Sequence, residues 1–271
     1  MMLWEFHRQE AKVVCVAGNS IETPRLFLMS ASSMFPNGLA NSSDQVGRNY
    51  MRHLTGSVYA RFDKPVNFYR GETMAGFLAD EVKNNPKRGF VGGYYLETLA
   101  LGPSFMGAFL EPGGWGKKFA DMMDGYRNLA GMWIVGEDMP QANNRITLGS
   151  AKDAFGLPAP NVHFDDHPND TAMRNHAYNV GEKIYKSVGA KQTWRTTPYP
   201  HTHNLGTMRM SAKKKDGVTN KWGRCHDIKN LFVSDGSVMT TGAACNPTLT
   251  IVALAIRQGE YLADQLKKGK I

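Results

Sequence analysis

The firmest periodicity in the chain lies near its C-terminal end. Leu249, Val252, Ala253, Ile256, Leu262, Ala263 and Leu266 recur at helical spacing, with Arg257, Gln258, Asp264 and Gln265 elsewhere on the cylinder, which predicts an amphipathic helix. Pro247 suits its first position, where a missing N–H costs no intrahelical bond, and Asn246 then reads as the N-cap. A second long helix is expected over residues 171–188, with Met173, Ala177, Val180, Ile184 and Val188 on one face. Shorter helices are expected over 71–83 and 117–126, and one starting at Thr23-Pro24. Apolar runs bounded by Gly, Pro and Asn clusters predict strands at 12–16, 58–62, 94–101, 132–136, 145–148, 161–164 and 230–234.

The order of these elements suggests two kinds of layer. A strand ending at Ala17-Gly18 and followed by a helix suits an α/β layer with a ligand at the loop. The strands of the middle, with long helices between and after them, suit an α+β unit around an antiparallel sheet. At 271 residues and 42% hydrophobic content, the chain can bury one sizeable core or two modest ones. The apolar run at 249–256 falls well short of a membrane span. Residues 1–7 have neither the basic start nor the apolar stretch of a signal peptide. Cys15, Cys225 and Cys245 form no C-x-x-C, so neither a disulfide framework nor a zinc site is indicated. Cys225-His226 is too sparse for a ligand set, and no metal is expected. No G-x-S-x-G elbow is present.

The charge is uneven. Residues 201–271 hold 11 Lys/Arg against 5 Asp/Glu, so +6 of the net +8 lies there. Lys213-Lys214-Lys215 reads as a solvated turn or as a positive rim that steers an anionic substrate or redox partner. Nucleic-acid binding is not expected, because no aromatic-studded basic strand or helix accompanies the lysines.

Three features of the same segment carry candidate chemistry. His203 precedes a Gly206-Thr207 turn, with His201 two residues away as a rival; a lone polar-loop histidine is otherwise a solvated or structural residue. The strand at 230–234 ends in Asp235-Gly236-Ser237. Asn246-Pro247-Thr248 opens the last helix, where a cap and an anion-binding role are compatible. Together, His203-x-x-Gly206-Thr207-x-Arg209-Met210, the Asp235-Gly236-Ser237 strand end and Asn246-Pro247-Thr248-Leu249-Thr250-Ile251 resemble the glucose–methanol–choline (GMC) family of flavin oxidoreductases. Ala17-Gly18 through Thr23-Pro24, and Val46-Gly47-Arg48-Asn49 followed by His53, also resemble that family. The first of these looks like the branch of bacterial gluconate, fructose and sorbitol dehydrogenase flavoprotein subunits.

The resemblance implies FAD as cofactor and oxidation of an alcohol group on a sugar, sugar acid or polyol, with electrons passed to an acceptor other than oxygen. It implies His203 and Asn246 as the catalytic pair. His203 would be the base, which suits a neutral imidazole, and Asn246 would hold the substrate oxygen. It implies cofactor contacts from Asp235, Gly236, Asn246, Pro247 and Thr248. Residues 1–56 would then be part of an FAD-binding domain, 57–199 a substrate-binding domain, and 200–271 the return segment of the FAD-binding domain. The same resemblance implies as partners an N-terminal FAD-domain polypeptide, a small subunit and a cytochrome c acceptor, at the periplasmic face of the inner membrane. The Rossmann-like layer lacks its G-x-G-x-x-G unit, which occurs nowhere in these residues. The expectation is therefore a C-terminal portion, truncated, split or decayed. Two other classes stay open: a non-catalytic assembly subunit and a polyanion-binding module.

Overall fold

The computed structural model describes residues 7–199 and 202–271. Its elements are β1 (Val14–Val16), α1 (Asn19–Met29), β2 (Leu54–Arg61), β3 (Phe77–Leu78), β4 (Tyr94–Thr98), α2 (Pro103–Leu110) and α3 (Gly116–Asp124). They continue as β5 (Leu129–Gly136), β6 (Arg145–Lys152), β7 (Pro158–His163), α4 (Pro168–Ser187), β8 (Gln192–Arg195), β9 (Leu231–Val233) and α5 (Thr248–Lys267).

The central sheet runs β3-β4-β5-β2-β8 and all its pairings are antiparallel. β2 lies inside it and is buried along nearly its whole length, so its sequence shows no two-residue alternation. α4 crosses one face. Gly181 permits the approach, because a Cβ there would stand 2.9 Å from Val58 Cγ2. Leu54, Val58, Tyr94, Ile134, Met173 and Ala177 fill the interface. Leu54, Gly136 and Tyr94 align across β2, β5 and β4 at one end of the sheet, while Arg61 and Leu129 mark the other.

β1 and β9 form a separate two-stranded parallel sheet, with Val14 opposite Leu231. α1 packs on the β6–β7 hairpin, and Phe27, Val46, Met208, Val218 and Val233 make a second core. No helix among the described residues is long and apolar enough to cross a membrane.

Four local expectations are corrected. Residues 71–83 are not a helix: Met74 takes a left-handed φ of 56° and the segment supplies the short edge strand β3. α1 begins at Asn19, whose side chain accepts from Ile21 N at 2.8 Å, so Pro24 falls inside the helix. The carbonyl of Ser20, which Pro24 cannot satisfy, accepts from Thr207 Oγ1 at 3.0 Å. α5 begins at Thr248 with Pro247 as its N-cap and no side-chain cap, so Asn246 does not cap it. The apolar stripe of α5 is also exposed: Leu249 is 82% accessible and Ile256 59%. β8 and α2, absent from the sequence reading, complete the architecture.

Candidate active site

The site begins with a register. Met51 and Leu205 exchange backbone hydrogen bonds of 3.0 and 2.8 Å as an antiparallel bridge. Two residues outward along the paired segments, that pairing sets His53 opposite His203. Their Nδ1 atoms lie 3.2 Å apart, and the rings meet edge to face at 84°. The turn after His203 is tightly held. Gly206 has φ +74°, and a Cβ there would sit 2.1 Å from Asn49 O. Thr207, also at positive φ, binds α1 through Ser20 O. The carbonyl of Asn204 accepts from Ser20 Oγ at 2.9 Å, and Tyr50 donates its hydroxyl to the Asn204 side chain.

His53 is 1% exposed, and its Nε2 lies 2.9 Å from the carbonyl of Gly242. Burial lowers its pKa, opposed by the carbonyls of Gly242 and Ala243. Burial, then the neighbouring His53, pushes His203 down to about 4. Both rings are therefore neutral near pH 7. The loop bearing His53 is fixed by Asp138, whose Oδ2 accepts from Arg52 N at 2.8 Å. Asp138 is itself buried, which raises its carboxyl to about 7.

Asn246 is anchored on β4. Its Oδ1 accepts from Tyr95 Oη at 2.8 Å, and its Nδ2 lies 3.5 Å from Glu97 Oε1. Tyr95 also lies 2.8 Å from Glu97 Oε1, so one phenolic proton serves two acceptors. His203 and Asn246 thus attach to opposite sides of β5, at the end of the sheet where Leu54 and Tyr94 align. Two strand spacings put those anchors roughly 10 Å apart.

Asp235 uses its carboxylate inside the chain. Oδ2 accepts from Asn19 N at 3.0 Å and Thr23 Oγ1 at 2.6 Å, and Oδ1 from Ser237 N at 2.8 Å. It therefore clamps the start of α1 to the end of β9. Gly236 is buried, and its carbonyl accepts from Gly206 N at 3.3 Å, joining the Asp-Gly-Ser turn to the His203 turn. Pro247 is buried and Thr248 exposed at the start of α5. In the lysine turn, Lys214 pairs with Asp227 at 2.6 Å, and all three lysines remain exposed. His201 lies outside the described residues.

Tyr95, Glu97, Gly242 and Asp138 belong to no motif legible in the sequence. Two signals are available: an acid within an apolar run, Glu97 in Tyr94–Thr98, and a Glu137-Asp138 pair just beyond Gly136. His53 stands out in its loop, but nothing in the sequence marks it as the partner of His203.

Residues 140–255 match the family model described as GMC oxidoreductase. The chain is 38% identical over 272 residues to 2-methyl-1,2-propanediol dehydrogenase of Mycolicibacterium austroafricanum, covering 95% of this chain and 49% of that protein. It is 32% identical over 293 residues to the fructose dehydrogenase large subunit of Gluconobacter japonicus, covering 97% and 49%. A formate oxidase structure from Aspergillus oryzae RIB40 superposes with a TM-score of 0.63 at 17% identity, over 94% of this chain and 55% of that one. The chain spans about half the length of the curated relatives it matches.

Proposed function

Since the chain belongs to the GMC oxidoreductase family, we propose that it supplies the substrate-facing sheet and the catalytic residues of an FAD-dependent alcohol dehydrogenase. The observation that carries this reading is the close contact of two histidines, His53 buried and His203 half-buried, with their Nδ1 atoms 3.2 Å apart. His203 is held at one ring nitrogen by His53 and kept uncharged, able to take the proton of a substrate hydroxyl. Asn246, steadied by Tyr95 and Glu97, would orient the same oxygen. FAD, when bound, supplies the hydride acceptor.

The residues present fit part of that cofactor. α5 is twenty residues long and starts without a side-chain cap, leaving first-turn N–H groups at Thr248 to Thr250 for an electron-rich edge. Asn246, Pro247 and the buried Gly236 stand beside that start or on the strand end leading to it. With its carboxylate engaged, Asp235 would serve the cofactor through its backbone and by holding α1 in place. The pyrophosphate needs a glycine-rich turn and helix start, and the G-x-G-x-x-G pattern is absent from this sequence.

A sugar, sugar acid or polyol is the substrate class proposed, with a non-oxygen acceptor and a small subunit as partner. The fructose dehydrogenase relative is named as a large subunit. The exposed stripe of α5 supports a second reading, a non-catalytic assembly part. Retention of the His53–His203 geometry favours the catalytic one.

The test combines this chain with the FAD-binding half of a relative and follows dye-linked oxidation of a polyol panel. His203→Ala should lower turnover by on the order of 10²–10⁴, and His201→Ala should not. Near-normal turnover in His203→Ala with severe loss in His201→Ala would overturn the assignment.

A further inference from the structure

We propose that His53 is a positioning residue that fixes the tautomer of His203, placing its proton on Nδ1 and its lone pair on Nε2. This rests on the reading of His203 as the base and specifies which atom receives the proton.

The chain of hydrogen bonds runs outward from a backbone carbonyl. Gly242 O can only accept a hydrogen bond, so the ring nitrogen 2.9 Å away, His53 Nε2, must carry a hydrogen. A neutral imidazole has a single N–H. His53 Nδ1 therefore presents a lone pair to His203 Nδ1 at 3.2 Å. Only an N–H on that nitrogen makes the contact a hydrogen bond. His203 Nε2 then bears the basic lone pair.

Charge state decides whether this chain of bonds holds. A protonated His53 would donate from Nδ1, consume the lone pair of His203 there, and leave Nε2 protonated and unable to act. Burial at 1% exposure opposes that protonation. During the reaction the hydroxyl O–H bond breaks and an Nε2–H bond forms, with the bonding pair staying on oxygen. The imidazolium keeps its Nδ1–H on the neutral Nδ1 of His53, a charge-assisted bond. A side chain on Gly242 would move the anchoring carbonyl, since a Cβ there meets His53 Cδ2 at 3.2 Å.

The experiment is long-range 1H–15N correlation on the 271-residue chain labelled at histidine nitrogen, with His203 signals assigned by their loss in His203→Gln. The expected result is an Nδ1–H tautomer for His203 and an Nε2–H tautomer for His53. His53→Phe keeps a ring but removes the acceptor, and should move the His203 proton from Nδ1 to Nε2. His53→Asn suits the left-handed backbone at φ +60°, offers Oδ1 to His203, and should restore Nδ1–H. An Nε2–H tautomer of His203 in the unaltered protein would overturn the proposal, even if both variants failed to fold. So would an unchanged tautomer in folded His53→Phe. The two readings separate cleanly: an Nδ1–H tautomer combined with normal turnover in His203→Ala would remove the base assignment and leave the relay standing.

Discussion

Gly206 shows how a single residue sets the site. Its positive φ and the 2.1 Å approach to Asn49 O leave no room for a methyl group, so Gly206→Ala should destabilise the chain by about 2–4 kcal/mol. Chemical denaturation would measure it, and a loss below the usual surface range would show that the turn can relax. Asn246 is a different case. Because it does not cap α5, Asn246→Ser should leave helix content unchanged, while reduced turnover in the FAD-loaded enzyme would report the loss of the Tyr95 and Glu97 contacts. Full activity in that variant would remove the orienting role. The histidine pair predicts a pH effect. A folded-state pKa of about 4 for His203, below the ordinary histidine value of 6.5, means that the unfolded chain binds the proton more readily. Stability conferred by a neutral His203 is present above 6.5 and is lost as pH falls toward 4. His203→Gln should therefore flatten the fall in melting temperature over that window relative to the unaltered chain; parallel curves would contradict it. The His203 turn was legible because its residues are neighbours in sequence. His53 was not, because its role depends on a register between loops 150 residues apart.

At the scale of elements, α5 separates periodicity from burial. The apolar spacing correctly predicted a helix, but the only buried residue on it is Gln258, whose amide donates to Trp222 O and Val233 O at 2.9 Å each. Those carbonyls need a donor more than the interface needs another methyl group. Gln258→Leu should thus cost about 1–3 kcal/mol by leaving one buried and one part-buried carbonyl without that partner. Leu249→Gln and Ile256→Gln should stay within about 0.5 kcal/mol in the chain alone. Thermal melts of the three variants would check the order; a larger loss at Ile256 than at Gln258 would reverse it. The helix over 171–188 was read well because a long amphipathic pattern covers one sheet face. The misread segment at 71–83 has helix-forming residues but pairs at a sheet edge, a tertiary fact that local propensity does not carry.

Across the whole molecule, the large antiparallel sheet was legible from its spaced apolar runs. Its strand order was not, since β8 is short and joins β2 from more than 130 residues away. The exposed α5 stripe and Val14 on β1 belong to the same layer as Asp235 and the His203 turn. With no glycine-rich pyrophosphate turn in the sequence, the chain purified alone should contain little FAD by absorbance, and flavin should appear when an FAD-binding half is co-expressed. Stoichiometric flavin in the chain alone would show that the cofactor is held by other means. The parallel pairing of β1 with β9 has a further consequence in time. At roughly 5–20 residues per second, a ribosome that has made Val14 needs on the order of 10–40 s more to reach its partner, Leu231. The sheet from β2 to β8 is complete in the nascent chain before then. β1 thus waits on β9, and the histidine turn is seated on a sheet already built.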